Sequence, residues 1–157
     1  MTDDADKVWK MAKDMDICML VTYAARGLHS RPMSSVVDKE AGKIRFLADK
    51  GAGKDDEIKA NPDVLLAYSN GSNKHVSIKG KATLTADRAL IKKIWSPGAQ
   101  AFFPGGPDSP EVICIEVTPT GAEYWDGDNT VLSAVKFVTA LATGSEAEPG
   151  ASSKTRL

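Results

Sequence analysis

The sequence predicts a mainly β (α+β) fold, a six-stranded antiparallel β-barrel with flanking helices, from three observations. First, residues 76–84 alternate apolar and polar side chains, which is typical of a strand with one buried and one solvated face. Second, short turns join the strand-like runs, and Asn70-Gly71-Ser72-Asn73 is the strongest hairpin signal among them. Third, few segments show helical periodicity, so we expect the helices to flank the sheet.

The 157 residues are enough for one domain with its own hydrophobic core. We assign residues 1–143 to the barrel domain. Residues 144–157 are dominated by Ser, Glu, Pro, Gly and Lys and are interpreted as a mobile C-terminal tail. Before this tail, one apolar face of a last helix is predicted from Val131, Ala134, Val135, Val138 and Leu141.

The composition argues against several classes of protein. The net charge is −1 and the chain has no Lys/Arg run, so we expect no nucleic-acid partner. No apolar run approaches the ~18 residues of a membrane helix, and the start of the chain is polar and acidic, so we expect no membrane association and a cytoplasmic location. Cys18 and Cys114 lie in apolar runs and are expected to be buried free thiols.

The first fifty residues predict a helix and three strands. The helix has an apolar stripe at i, i+3, i+4 and i+7, formed by Val8, Met11, Ala12 and Met15. Residues 17–23 form a short apolar run that reads as a central strand, and residues 28–37 predict its hairpin partner. Pro32 cannot donate a ladder hydrogen bond, so we expect a bulge or an unpaired segment there. A turn at residues 38–42 then leads into a third strand over residues 43–48, which we expect to adjoin the second.

Gly51-Ala52-Gly53-Lys54 opens a short helix that ends before Pro62. The elements predicted after it are strands over residues 64–69 and 76–84, a helix over 87–95, a loop over 96–110 and a strand over 111–117. The loop carries Phe102 and Phe103, and loops of this length in a compact domain tend to be functional.

Two cations are candidates for an anion site. Lys54 stands at the start of a helix, where free backbone N–H groups and the positive end of the helix dipole attract anions. Arg31 lies in the predicted second strand, and a neighbouring third strand would bring it towards Lys54. Each signal has an ordinary alternative, since a lysine after a glycine turn is often solvated and an arginine on a strand often faces water. The motif is not a P-loop, because Gly-x-x-x-x-Gly-Lys is absent.

The last third of the chain is rich in aromatic residues, which are Trp95, Phe102, Phe103, Tyr124 and Trp125. Such residues fill a core or a subunit interface, or they form the wall around a planar cofactor. Both interpretations stay open on composition alone. No Cys/His spacing predicts a metal site, and no Gly-x-Ser-x-Gly motif predicts a hydrolase. His29, beside the Arg31 strand, is the one candidate for an acid or base.

Taken in order, the motifs resemble a known family over about residues 5–127. The matching segments are Ser30–Met33, Ile44–Leu47, Lys54, Glu57–Val64, Val76–Gly80, Ala82, Asp87–Arg88, Leu90–Pro97, Phe103–Gly106 and Glu123–Asp126. The chain is identified by them as similar to the pyridoxamine 5′-phosphate oxidase-like, FMN-binding split-barrel family, most closely its general stress protein branch.

The resemblance implies a Greek-key split barrel of the FMN-binding type, and a homodimer with an FMN site at each subunit interface. Backbone groups of two strand segments are implied to line the flavin ring; these are Arg31, Pro32, Met33 and Ser34, then Phe46, Leu47, Ala48 and Asp49. Lys54, with Arg31 or Lys50, is implied to hold the phosphate. Trp95, Phe102 and Trp125 are implied to close the site, some of them from the partner subunit.

One departure from the family bears on the reaction. The vitamin-making oxidases carry an Arg-x-His pair near the C-terminus that grips the substrate phosphate. Here no histidine follows His75, and the only arginine after Arg88 is Arg156. We therefore expect a flavin-dependent oxidoreductase of the general stress type rather than a pyridoxamine phosphate oxidase. A flavin-binding protein without turnover, the same barrel with F420 or haem, and a ligand-free dimer are the alternatives.

Overall fold

The computed structural model describes residues 3–127, 151–155 and 157. The helices of this part are α1 (Asp3–Met15), α2 (Lys54–Ala60), α3 (Arg88–Ile94) and α4 (Ala99–Phe102). The strands are β1 (Ile17–Ala24), β2 (Gly27–Ser34), β3 (Val36–Asp38), β4 (Lys43–Asp49), β5 (Asp63–Ser69), β6 (Lys74–Thr85), β7 (Val112–Asp126) and β8 (Ala151–Thr155). The apolar helix predicted over residues 131–141 lies outside the described residues.

The strands form one antiparallel sheet in the order β2-β1-β5-β6-β7-β4-β3, with β8 beside β7. Strands β2 and β3 stand at opposite ends of this order, yet only Ser35 separates them in the chain. The sheet must therefore curl until its two ends meet, which closes it into a barrel. The predicted mainly β barrel with flanking helices is confirmed, with eight strands among the described residues instead of six.

The difference in strand number begins at Ser35, which divides the strand predicted over residues 28–37. The Ser35 backbone N–H and hydroxyl both donate to the Asp16 carbonyl, at 2.9 and 2.6 Å. The buried Tyr68 hydroxyl donates to the Ser35 hydroxyl at 2.9 Å. These contacts satisfy the polar groups of Ser35 away from the ladder, so the chain bends there. The break predicted at Pro32 was wrong in its position, because Pro32 pairs in regular register with Met19 on an edge strand.

The bend leaves a gap in the barrel wall. Strand β3 pairs with β4 only from Asp38↔Lys43 to Val36↔Arg45. Beyond that point, residues 46–49 of β4 pair with β7 alone, and β2 pairs with β1 alone. Residues 28–33 and 46–49 therefore each present one unpaired backbone edge within the described part of the chain. The second and third predicted strands adjoin only at β3, so Arg31 itself does not pair with β4.

The core follows the alternation of the strands. In β6 the inward residues predicted from the pattern are buried at Val76, Ile78, Gly80 and Ala82, and half-buried at Leu84. The stripe of α1 is buried at Val8, Met11 and Ala12, and half-buried at Met15. A second, smaller cluster packs under α3 and contains Ile91, Ile94, Val112 and Cys114. Both predictions of inward faces are thereby confirmed.

Both cysteines are buried free thiols, as predicted. Cys18 is 2% exposed in the main cluster, and Cys114 is fully buried in the smaller one. Burial raises the pKa of Cys18 to about 12 and that of Cys114 to about 11, because a thiolate is poorly solvated in an apolar environment. Neither thiol is therefore expected to act as a nucleophile in the folded protein.

The loop after α3 is held in place by one arginine. The Arg88 guanidinium donates to the carbonyls of Pro107, Ser109 and Val112, at 3.2, 2.7 and 2.6 Å. Inside this loop, α4 forms a single turn, and the ring of Phe103 packs on Trp95 with centroids 6.0 Å apart. Part of the loop that the sequence predicts to be functional is thus fixed by a structural arginine.

The predicted mobile tail differs from the structure over residues 151–155. These residues form β8 and pair antiparallel with β7, from Ala151↔Asp126 to Thr155↔Ala122. They occupy the side of β7 that β4 occupies further along the strand, and so satisfy backbone groups that would otherwise be a free edge. Leu157 packs against the main core cluster. No helix among the described residues is long and apolar enough to cross a membrane.

Candidate functional site

Helix α2 packs on β1 and β6 and carries the candidate site. The side chain of its residue Ile58 is 3% exposed and anchors the helix in the main core. The helix begins at Lys54 directly after Gly53, whose φ of 95° favours glycine. Gly51 also has a positive φ, of 78°. The two glycines therefore allow the tight turn that leads from β4 into α2.

Arg31 reaches from β2 to both β1 and α2. Its Nη1 donates to the hydroxyl of Thr22 at 2.8 Å, and its Nη2 donates to Oε2 of Glu57 at 2.7 Å. Thr22 in turn donates to the same Glu57 oxygen. The Arg31 and Glu57 side chains are 16% and 18% exposed, so this ion pair is largely shielded from water. Arg31 is thus connected to α2 by a side-chain ion pair. The strand pairing expected from the sequence does not make this connection.

His29 completes this cluster of four side chains, which we call the Arg31 cluster: Thr22, His29, Arg31 and Glu57. The His29 Nδ1 atom lies 2.7 Å from Arg31 Nη2 and 3.1 Å from Glu57 Oε1. The Thr22 hydrogen bond, followed by the contacts of His29 and Arg31, lowers the pKa of Glu57 from its ordinary 4.5 to about 2. Glu57 therefore remains a carboxylate at all physiological pH values.

Lys54 differs from Arg31 in its contacts. Within the described part of the chain, its ammonium group makes no hydrogen bond or ion pair. Lys54 and Glu57 are three residues apart on α2 and so lie on the same face of the helix. The free ammonium and the Arg31 guanidinium consequently flank one turn of this helix.

The turn before α2 is not the open set of backbone donors that the sequence suggested. The Gly51 N–H donates to Oδ2 of Asp55 at 2.9 Å, and this bond is the main cause of the lowered pKa of Asp55. The other oxygen of Asp55 is buried and has no hydrogen-bond partner among the described residues. A carboxylate thus already stands at the turn, so an anion here must be held by side chains more than by backbone N–H groups.

The remaining predicted residues of β2 have separate positions. Met33 is half-buried and packs against the main core, whereas Pro32 and Ser34 lie on the exposed face of the strand. The Ser34 hydroxyl donates to Oδ1 of Asp16 at 3.0 Å. Only their backbone edge faces the gap, which is the contribution expected of this segment.

The residues of β4 and the following turn divide in the same way. Phe46 and Ala48 are fully buried in the core, so their side chains are closed to any ligand. Leu47 packs against the smaller cluster under α3, while Asp49 and Lys50 are exposed. The Lys50 backbone N–H donates to the Glu111 carbonyl at 2.7 Å. Lys50 therefore offers a solvated ammonium, and Asp49 a solvated carboxylate, near the start of α2.

The three aromatic residues assigned to the site have no described contact with Arg31. Trp95 is half-buried beside Phe103, and the Phe102 side chain is 78% exposed on α4. Trp125 lies on β7 opposite His75, four strands from β2 in the sheet order. Packing accounts for Trp95, whereas Phe102 and Trp125 stay without a described contact to the Arg31 cluster.

Sequence reasoning missed Thr22 and the role of Glu57. Both could have been found from periodicity, since Thr22 follows Cys18 and Leu20 on the inward face of the first strand. Glu57 follows Lys54 by three residues on a helix. Their meeting with Arg31 depends on tertiary packing of α2 on β1, which no local pattern predicts.

An apolar surface covers the outside of the barrel beside the site. It is formed by exposed side chains of β1, β2 and β5, which are Ile17, Met19, Tyr23, Leu28 and Leu65. Leu28 is 70% exposed and Ile17 is 55% exposed. Because β2, β1 and β5 are neighbours in the sheet, we treat these residues as one outer apolar face.

An antiparallel barrel that is split beside a cation-bearing helix defines a split-barrel protein. The chain belongs to the family described as pyridoxamine 5′-phosphate oxidase like, whose model matches residues 3–148. Within that family it is similar to the general stress proteins. General stress protein 26 of Bacillus subtilis is 29% identical over 136 residues, which cover 83% of this chain and 95% of that protein.

Two further relatives extend this picture. Protein bli-3 of Neurospora crassa is 28% identical over 107 residues, which cover 62% of this chain and 51% of bli-3. The chain therefore spans about half the length of that relative. The crystal structure of a general stress FMN/FAD binding protein from Xanthomonas citri superposes with a TM-score of 0.71 at 24% identity. That match covers 80% of this chain and 90% of the other, and it shows the same fold.

Proposed function

We propose that this protein is an FMN-binding flavoprotein that holds the cofactor phosphate between Lys54 and Arg31. The observation that carries the proposal is that Glu57, which binds Arg31, lies one turn after Lys54 on α2, and that the Lys54 ammonium has no partner among the described residues. A phosphate monoester carries nearly two negative charges at neutral pH and prefers such donors. The relative from Xanthomonas citri is described as an FMN/FAD binding protein, which supports the same class of ligand.

The residues present fit a phosphate better than they fit the alternatives. Arg31 and Lys54 offer hydrogen-bond donors, whereas the Gly51 N–H of the turn already donates to the Asp55 carboxylate. The described residues contain no group of three His, Cys, Asp or Glu side chains placed to hold a metal ion. A haem would need an axial ligand, and His29 is the only histidine in the cluster, where its Nδ1 contacts Arg31 and Glu57.

FMN, when bound, supplies the electron-carrying ring, and the protein supplies binding and orientation. Lys54 would hold the phosphate as a point charge, and Arg31 would hold it by directed hydrogen bonds. The unpaired backbone edges at residues 28–33 and 46–49 would provide hydrogen-bonding groups beside the ring. The Arg-x-His pair of the vitamin-making oxidases is absent from the sequence, so we propose a general stress type of oxidoreductase.

We further propose that the protein is a homodimer and that its outer apolar face is the subunit interface. A face of five large exposed apolar side chains on neighbouring strands is unusual for a monomer in water. A two-fold interface would cover it with the same face of a second copy. Phe102 and Trp125, which have no described contact with the Arg31 cluster in one chain, could then approach the site of the partner. The free thiols suit the reducing cytoplasm, where we propose that the protein works.

The purified protein mixed with FMN and passed through gel filtration tests this function. We expect the flavin absorbance to elute with the protein at about one flavin per chain. Oxidation of NAD(P)H by the loaded protein distinguishes an oxidoreductase from a flavin-binding protein without turnover. If all flavin separates from the protein, the FMN proposal is overturned, and the same run with F420 and haem tests the other ligands of this barrel.

A further inference from the structure

We propose that Glu57 competes with the cofactor phosphate for Arg31, so that this carboxylate sets how strongly the site selects a phosphorylated ligand. This inference rests on the proposed function and deepens it, because it concerns the same site. It follows from the Arg31–Glu57 contact, the low exposure of both side chains, and the geometry of the guanidinium group.

The present contacts of Arg31 occupy Nη2, the nitrogen that any two-bonded phosphate contact would use. A guanidinium grips a phosphate or carboxylate through two parallel N–H bonds, and either arrangement of two uses Nη2, paired with Nε or with Nη1. Here Nη2 donates to Glu57 at 2.7 Å and also lies 2.7 Å from His29 Nδ1. Nη1 donates to Thr22 at 2.8 Å. Arg31 therefore cannot present a two-pronged grip while both Nη2 contacts persist.

The charge of Glu57 opposes an anion in the same place. Its pKa is lowered to about 2, so the carboxylate is ionised wherever the protein is folded near neutral pH. It neutralises the Arg31 charge, and Lys54 is then the cation of this helix turn that has no partner in the described part of the chain. A bound phosphate must displace Glu57 from Nη2 before Arg31 can grip it with two N–H bonds. This displacement lowers the affinity for a phosphate and leaves a neutral flavin unaffected.

The test compares FMN with riboflavin, which lacks the phosphate, in two matched variants. Glu57→Gln removes the charge while a side-chain carbonyl can still accept from Arg31. Asp56→Asn makes the same charge change on the same helix turn, but Asp56 is exposed and outside the Arg31 cluster. We expect Glu57→Gln to tighten FMN binding by about fivefold, which corresponds to the free energy of one ion pair. Riboflavin binding is expected to stay within about twofold. Asp56→Asn is expected to change FMN binding by less than about twofold.

The role of Arg31 is isolated by a double-mutant cycle. In an Arg31→Gln background, Glu57→Gln is expected to give no further gain in FMN affinity, because the competing pair no longer exists. A weaker FMN affinity in Glu57→Gln, or an equal change for FMN and riboflavin, overturns the inference. If Glu57→Gln does not fold by circular dichroism, Glu57→Asp serves instead, since the shorter side chain draws back from Nη2 and is expected to shift FMN affinity in the same direction.

Failure of the inference is distinguishable from failure of the proposed function. If the wild-type protein binds neither flavin, the FMN proposal fails, and inorganic phosphate replaces the flavin as the probe. The rise in melting temperature with added phosphate is then expected to be larger in Glu57→Gln than in the wild type and in Asp56→Asn. Equal rises in all three proteins would overturn the competition between Glu57 and phosphate.

Discussion

At the scale of residues, the sequence predicted Arg31 and Lys54 as candidate cations of an anion site, but it did not predict the partners of Arg31. The sequence placed one cation on a strand and the other at a helix start. The structure adds Glu57 and Thr22, which bind Arg31 through contacts 26 and 9 residues apart in the chain. Such contacts depend on how α2 packs over the end of the barrel, and local patterns contain no information about that packing.

The Arg31 cluster makes stability depend on pH in a defined direction. The folded-state pKa of Glu57 is about 2, below its ordinary value of 4.5, so the unfolded chain binds more protons between these values. The stabilisation from Glu57 is therefore complete above about pH 4.5 and is lost as the pH falls towards 2. We expect Glu57→Gln to be less stable than the wild type by about 1–2 kcal/mol at pH 7.

Melting temperatures from pH 7 to pH 2 measure this dependence. The difference between wild type and Glu57→Gln is expected to shrink below pH 4.5, while Asp56→Asn shows no such convergence with the wild type. A difference between wild type and Glu57→Gln that stays constant over the whole range would contradict an ionised, bonded Glu57.

At the scale of elements, periodicity correctly predicted which strand residues are buried, but the sequence did not show where a strand is interrupted. The alternating residues of β6 are buried as their pattern indicates. The division of the second predicted strand at Ser35 requires Asp16 and Tyr68, which lie far from it in sequence or on other elements. β8 escaped prediction because its composition, Ala-Ser-Ser-Lys-Thr, is typical of a mobile tail. Its pairing is favoured by the free edge of β7 and not by its own side chains.

Truncation tests the contribution of β8. Removing residues 151–157 is expected to lower stability by about 1–2 kcal/mol, or about 3–8 °C in melting temperature, because the backbone ladder with β7 is lost. Leu157→Ser serves as the control, since it removes only the apolar contact of Leu157 with the core. An unchanged melting temperature after truncation would show that the tail interpretation of these residues was correct.

At the scale of the whole molecule, the sequence predicted the fold through its resemblance to a family, and the family match confirms it. The closure of the barrel is a consequence of topology, because the two ends of the sheet order are joined through one residue. The outer apolar face is a further property of the whole molecule. Its residues lie on β1, β2 and β5, and their common surface becomes visible only when the strand order is known.

The dimer is tested by a charge placed in that face. Leu28 is 70% exposed, so Leu28→Lys is expected to leave the fold of one chain intact while it disrupts a self-complementary interface. Light scattering after gel filtration is expected to give twice the 16.7 kDa chain mass for the wild type and one chain mass for the variant. Glu40→Lys, an exposed change in the turn between β3 and β4, is the control and should remain dimeric. A monomeric wild type would contradict the interface.

The most direct test of the central claim is a calorimetric titration of the wild type and Lys54→Ala with FMN and riboflavin. If Lys54 and Arg31 hold the phosphate, the wild type binds FMN at least about tenfold more tightly than riboflavin, since one charge-assisted bond contributes about 1.5–3 kcal/mol. Lys54→Ala then loses most of this preference and keeps its affinity for riboflavin. Equal affinities of the wild type for the two flavins, or an unchanged preference in Lys54→Ala, would contradict a phosphate site at Lys54 and Arg31.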